Sequence, residues 1–450
     1  MNPEAQRLHT PRAREDWKTW GPYLSERAWG TVREDYSADG NAWNYFPHDH
    51  ARSRAYRWNE DGILGISDRR QLLCFAPTFW NGKDPILKER FFGLNGHEGN
   101  HGEDVKEYFF FLDSSPTHSY MKALYKYPQA AFPYDGLVAE NARRGRAAPE
   151  YELIDTGIFD ENRYFDIEVE YAKAGPEDIL IRITAHNRGP DAADLWILPT
   201  LWFRNTWSWQ KHSPRPNLNT VDRQTLVATQ RDLGRLFLRF DLPNSSDPLL
   251  FTENETNCRR LFNAPNAGPF CKDAFHRFLI HNEKSAVNPA GTGTKAAVSY
   301  RFNIPAGKSA TVRLRLAAGD HAPPAPDAAF DALIEQRRAE CDQFYAELKT
   351  EGLSPDLANI QRQAFAGLLW SKQFYYYDVR TWLQGDPNCP TPPAARWGGR
   401  NHDWLHLTND SVMSMPDPWE YPWYAAWDLA FHTIPLALVD PDFAKRQLLL

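Results

Sequence analysis

Tyr164-Phe-Asp-Ile-Glu-Val-Glu-Tyr171 places an apolar or aromatic side chain at every second position, Phe165, Ile167, Val169 and Tyr171, with acidic residues between them. Period two marks a strand with one face in a core. The alternation returns at Ile179/Ile181/Ile183, Leu236/Leu238/Phe240, Val298/Tyr300/Phe302/Ile304 and Val312/Leu314/Leu316. Turn residues break these runs, among them Asn187-Arg-Gly189-Pro190 and Pro305-Ala-Gly307. Strands joined by turns rather than crossover helices predict an antiparallel β-sandwich.

The pattern changes at Pro323-Pro324-Ala-Pro326. Phe330, Leu333, Ile334, Cys341, Phe344, Tyr345 and Leu348 then recur at helical spacing, with Gly352 as a C-terminal stop; this predicts a linking helix of about 23 residues. Ser354-Pro355 reads as an N-cap followed by proline at the first helical position, and Leu357, Ile360, Ala364, Phe365, Leu368 and Leu369 form the next apolar stripe. A third helix is expected from Pro422 through Ala437 and a fourth from Pro441, which makes the C-terminal part helical. Leu448-Leu449-Leu450 leaves an apolar helix face without a partner. Two or three helices cannot enclose a core, so the chain is expected to be the front part of a longer one. Its expected units are a sandwich domain with long loops over 1–320, a helical linker over 321–353, and the first helices of a second domain over 354–450.

Composition narrows the partners. The 450 residues are 42% hydrophobic and 24% charged, and 58 acidic against 51 basic side chains give a net charge of −7 with no long basic block. Nucleic acid and anionic membrane are therefore not expected as partners. The N-terminus has no apolar signal core, and no stretch reaches the roughly 18 apolar residues of a membrane helix. Cys74, Cys258, Cys271, Cys341 and Cys389 are odd in number and widely spaced. Neither a disulfide framework nor a zinc knuckle is suggested, and a cytoplasmic, unexported protein is the expectation.

The 17 tryptophans fall in three groups, Trp17 to Trp80, Trp196 to Trp209 and Trp370 to Trp427. Such grouping suggests shared surfaces. Flat rings with one polar edge suit the faces of sugars, and filling a large core is the bland alternative. His97-Glu98-Gly-Asn-His101 matches the H-E-x-x-H zinc-protease pattern, which needs a helix to align both imidazoles. Gly93, Gly96, Gly99 and Gly102 argue instead for a loop whose backbone approaches something closely. Trp58 to Asp68 reads as a loop with exposed carboxylates. Asp113 to Tyr120 and Tyr125 to Pro128 gather hydroxyls and aromatics that suit either sugar binding or a hydrogen-bonded surface loop.

Trp397-Gly-Gly-Arg400-Asn-His-Asp-Trp404, Asn409-Asp410 and Trp419-Glu420-Tyr421-Pro-Trp423-Tyr424-Ala-Ala-Trp427-Asp428 are the densest chemistry in the chain. Tryptophans at 419, 423 and 427 share one face of a helix, with Tyr424 one turn before Asp428 and His432 one turn after. A carboxylate enclosed by aromatic rings keeps its proton to higher pH than a free one, the property of a general acid. A buried Asp capped by His432 or a backbone group is the structural alternative.

The run Trp419 to His432, behind a β-rich N-terminal half, resembles bacterial members of glycoside hydrolase family 63, the processing α-glucosidase I family. The resemblance extends over nearly all of the chain, including Trp58 to Asp68 and Gly102 to Lys106. It implies an N-terminal antiparallel β-sandwich, a helical linker and the start of an (α/α)6 barrel whose pocket cleaves α-glucosidic bonds of an oligosaccharide with inversion. On that reading Asp428 matches the general acid. Trp404, Trp419, Tyr421, Trp423 and Trp427 line the sugar subsite, and Arg400, Asp410 and Glu420 hold sugar hydroxyls. The general base, a Glu late in the family's barrel, is expected beyond residue 450, supplied by the missing half or a second chain; the piece alone is expected to be inactive. No cofactor is implied. Relatives with bound calcium exist, yet no compact acidic loop suggests a calcium site here. A non-catalytic carbohydrate-binding or scaffold protein is the alternative, and a zinc metalloprotease a remote one.

Overall fold

The computed structural model describes residues 2–11, 15–27, 41, 43–45, 47–102, 104–209, 213–242, 248–348, 352–385, 391–399, 401–415, 419 and 423–450. The alternating runs, apart from Val298 to Ile304, which joins the other sheet, form a nine-stranded antiparallel sheet. Its strand order is Thr292–Gly293, Asn217–Asp222, Thr225–Gln230, Gly234–Phe240, Ser309–Ala318, Asp178–Asn187, Tyr164–Gly175, Tyr120–Pro128 and Tyr108–Ser114. A second, seven-stranded sheet is built around Leu73–Trp80 paired with Ala193–Phe203. Phe165, Ile167, Val169 and Tyr171 all point into the space between the sheets and are fully buried or nearly so. Phe75 meets Tyr171 at 6.3 Å and Phe79 meets Tyr125 at 6.1 Å across that space, so the two sheets share one core.

Tyr120, Ala172 and Leu180 have the opposite parity and face outward, where helices cover them. The linker helix Ala328–Leu348 lays Phe330, Ile334, Cys341 and Phe344 on this outer face. Helix Pro355–Trp370 follows, capped by Ser354, whose hydroxyl accepts from Leu357 N–H. Trp370 stacks on Phe111 at 5.1 Å and donates to the Asp113 carbonyl. Arg362 reaches the Asp113 carboxylate through Nε at 3.0 Å and through Nη2. Burial pushes the Asp113 pKa up even with Arg362 beside it. Arg362→Ala therefore leaves a mostly buried carboxylate without its cation, and a loss of about 2 kcal/mol is expected, partial exposure of the pair being allowed for. Urea unfolding of that variant checks it; an unchanged midpoint would show that the pair is idle.

Three expectations need correction. The C-terminal part is not purely helical: Lys372–Asp378 and Thr408–Ser414 pair as a two-stranded antiparallel ribbon, with helix Val379–Gln384 between them. Lys372-Gln-Phe-Tyr-Tyr-Tyr-Asp378 carries no alternation because most of this strand is covered on both faces. The loop Trp58 to Asp68 does not expose its carboxylates, since Glu60 and Asp61 are buried. Asn254 donates to Glu60 at 2.8 Å, and Arg90 pairs with Asp61 at 3.2 Å. Segment Asp113 to Tyr120 is no sugar-binding surface either. Thr117 and Ser119 are buried, with Thr117 N–H and both hydroxyls donating to Glu4 of helix Pro3–His9.

Candidate functional site

Alternation along the ribbon sends Phe374 and Tyr376 to one face and Tyr375 and Tyr377 to the other. The register sets Asp410 directly opposite Tyr376. Beneath these rings lies the Arg204 guanidinium, 5.3 Å from the Phe374 centre and 5.7 Å from that of Tyr376. It donates to the carbonyls of Gln71, Arg57 and Arg70 at 3.2, 2.9 and 3.1 Å. Burial pulls its pKa below the usual arginine value. With its donors committed to backbone, Arg204 is a rigid floor that fixes the two rings from below.

Above that floor is a cleft of about 450 Å³, bounded by Arg57, Asn205, Trp209, Tyr376, Gln384 and Asp410. Trp209 lies under the Arg57 guanidinium. Asn205 is held by its donation to the Asn254 carbonyl at 2.9 Å and by accepting from Ser208 Oγ at 2.6 Å. The cleft offers three aromatic rings, an exposed carboxylate, three guanidiniums and two amides. It suits a small ligand with apolar faces and a polar rim. The three tryptophan groups meet next to it: Trp58, Trp382 and Trp209 pack in one cluster with Tyr375, Tyr376 and Tyr377.

Of the candidate site residues that are described, only Asp410 lines this cleft. Trp404 is exposed on a loop, its ring 5.9 Å from His406. Arg400, Glu420, Tyr421 and the expected helix start Pro422 lie outside the described residues. The shared tryptophan face does not form, because the helix begins at Ala426 and ends at Val439. Trp423 instead packs 4.6 Å from Trp43. Trp419 lies 5.0 Å from the Arg27 guanidinium and against Gly93, where a β-carbon would sit 2.3 Å from the indole. That contact is the close approach expected of the glycine row. Trp427 is on the helix but 71% exposed, so it does not enclose Asp428.

Asp428 is half-buried in the first turn of this helix. Burial lowers the His432 pKa, and the charge of Asp428 opposes that. His432 Nδ1 is 2.9 Å from Ser414 Oγ at the far end of the ribbon. Tyr424 reaches Tyr375 at 6.0 Å, so the segment leading to Asp428 packs on the ribbon through the face opposite to that of Asp410.

The H-E-x-x-H stretch is a turn rather than a helix. His97 Nδ1 lies 3.2 Å from Asn44 Oδ1 and His101 Nε2 2.9 Å from the Ala148 carbonyl, so the two rings serve separate partners. Among the described residues Asp104, Glu150 and Glu152 bring carboxylate oxygens together. Lys106 Nζ already sits among them, 3.1 Å from Glu150 and 2.9 Å from Glu152, and supplies the cation. No described helix is long and apolar enough to cross a membrane.

No family model matches the chain. It is 44% identical over 489 aligned residues to an uncharacterized protein of Saccharomyces cerevisiae, an alignment covering 99% of this chain and 45% of that protein. The chain thus spans less than half the length of the curated relative it matches. Among solved structures it is similar to a putative kojibiose phosphorylase from the human microbiome, at 10% identity and TM-score 0.23, over 79% of this chain and 39% of that one. It is also similar to a family GH92 alpha-mannosidase from Bacteroides thetaiotaomicron, at 11% identity and TM-score 0.26, over 81% and 43% of the two chains. Likeness at these TM-scores decides neither fold nor chemistry, and neither of the two is described as a family 63 enzyme.

Proposed function

We propose that the chain is part of a carbohydrate-active hydrolase that cleaves an α-glucosidic or related α-glycosidic bond with inversion. The observation that carries this reading is the cleft in which Trp209 and Tyr376 offer ring faces beside the carboxylate of Asp410. Sugar rings show C–H groups on their faces and hydroxyls at their rims, and this set matches both. Asp428, on the other face of the ribbon, is proposed as the general acid that protonates the leaving oxygen, with Trp419, Glu420, Tyr421, Trp423, Trp427, Arg400 and Trp404 as sugar-binding residues and the cleft at Asp410 as a more remote subsite of the same oligosaccharide.

Inversion requires a general base roughly 6.5–9.5 Å from the acid with a water between them. That base is proposed to be a Glu outside these 450 residues, in a further part of the same polypeptide. The yeast relative is more than twice as long as the stretch it shares. The same further part is proposed to cover the exposed apolar stripe Trp427, Phe431, Ile434 and Leu438.

The test is release of free sugar from a panel of α-linked glucosides and mannosides, with the anomer followed by NMR, for this chain and for the full-length protein. Release of the β-anomer by the full-length protein alone is the expected result. An α-anomer would remove the inverting mechanism. Binding of oligosaccharide with no release by either form would favour a carbohydrate-binding protein. Trp209→Ala is expected to weaken oligosaccharide binding about tenfold, the loss of one stacking face and its buried area. Equal affinity in calorimetry would move the sugar site away from this cleft.

A further inference from the structure

A separate cavity of about 880 Å³ shares no lining residue with the cleft. Arg52, Arg259, Arg260 and Arg277 border it together with Asn263 and His281. Their countercharges are three and mostly engaged. Asp49 joins Arg52 and Arg260. Glu283 holds Arg277. Asp273 lies 3.7 Å from Arg277 and accepts from Ser53 Oγ at 2.7 Å and Asn257 Nδ2 at 2.9 Å. Two donors remain. Arg52 Nη1 is buried without an acceptor, and Arg259 forms no ion pair among the described residues.

The two histidines add hydrogen-bonding groups. The backbone N–H of Leu87 donates to His276 Nδ1 at 3.2 Å, which places the proton of the neutral ring on Nε2. That proton points at His281 Nε2, 3.1 Å away, leaving Nδ1 of His281 as the N–H that is free to turn outward. Burial, with Arg52 and His281 adding to it, brings the His276 pKa down to about 3, so at neutral pH His276 adds no charge to the field of the arginines.

We propose that this cavity binds the phosphoryl group of a small polyhydroxylated phosphate ester, Arg259 supplying the charge-assisted contacts and Arg52 further charge at the wall. Guanidinium forks match phosphate oxygens in geometry, and Arg259, exposed and without an ion pair among the described residues, gives up no partner to such a ligand. The volume exceeds what phosphate alone would fill. Among the described residues no phenyl, phenol or indole ring borders the cavity, while Asn257, Asn263 and Asn266 do, so the organic part is sugar-like rather than a nucleobase.

The experiment is calorimetry of the full chain with inorganic phosphate, glucose 6-phosphate and AMP at matched ionic strength. Glucose 6-phosphate is expected to bind more tightly than phosphate or AMP. Arg52→Gln and Arg259→Gln are each expected to weaken it about tenfold, and Arg231→Gln, an exposed arginine bordering neither the cavity nor the cleft, to leave it unchanged. Arg259 is exposed, so its variant keeps the fold and the comparison stands if Arg52→Gln does not fold. No heat with phosphate or the ester, or full affinity in Arg259→Gln, would overturn the site. Phosphate or AMP binding as tightly as the ester would overturn the sugar-like ligand.

Discussion

Asp428→Asn in the full-length protein should lower kcat for an unactivated α-glucoside by about 10²–10⁴-fold, the usual weight of a positioned general acid. Asn keeps the shape of the side chain and cannot deliver a proton to the glycosidic oxygen. Substrates whose leaving group needs no proton should lose far less, and the limb of the pH profile that reports the acid should vanish. Oligosaccharide affinity should persist, since the cleft around Asp410 and Trp209 is built from other residues. The structural alternative is distinct: if Asp428 serves only to bias His432, whose Nδ1 lies 2.9 Å from Ser414 Oγ, the variant keeps its rate on both substrate types and loses only stability. Equal activity of Asp428→Asn and the parent on a poor leaving group would end the catalytic assignment.

The largest expected loss of stability is at Asp440. Its side chain is fully buried and accepts from Lys18 Nζ at 2.7 Å to both oxygens and from Lys372 Nζ at 3.0 Å. It also caps helix Pro441–Gln447 by accepting from Phe443 N–H at 3.2 Å. One carboxylate thus ties the N-terminal segment, the ribbon and the last helix together. Burial alone would raise its pKa, but the charges of Lys372 and Lys18 win and bring it down to about 2. At Lys372 the balance runs the other way, and burial lowers that pKa to about 8.

Asp440→Ala leaves a buried ammonium uncompensated and should cost about 3–5 kcal/mol. Its acid response should change as well. A carboxylate with a folded pKa below its unfolded value of about 3.9 contributes stability that is complete above that value and lost as the pH falls toward 2. The parent should therefore lose about 2 kcal/mol more than Asp440→Asn between pH 5 and 2. Urea midpoints across that range, for both proteins, measure it. Parallel pH curves would mean that the lysines do not hold Asp440 in its charged form.

What the sequence determined by itself was the sandwich and two of the helix starts. Phe165 to Tyr171 and the later runs declare which side packs on the partner sheet because the other side carries polar residues held in ion pairs, Asp166 with Lys126 and Glu170 with Arg182, so the period survives in the residues. Ser354-Pro355 and Asp440-Pro441 are equally legible, since a cap is decided within one turn of chain. The glycine row from Gly93 to Gly102 announced a close backbone approach, and Trp419 against Gly93 is that approach.

Only the tertiary structure decided the rest. The ribbon Lys372–Asp378 was invisible because both of its faces are covered, which erases alternation. Spacing put Trp419, Trp423 and Trp427 on one helical face, yet a helix that starts at Ala426 cannot align residues that precede it. The buried charges of Glu60 and Asp61 find partners 194 and 29 positions away, and the cleft joins Arg57 and Trp209 to Tyr376 and Asp410, more than 100 positions later in the chain. Composition brought these types together in name, but loop-closing contacts with Arg90, Asn254 and Arg204 brought them together in space, and no local rule encodes those contacts.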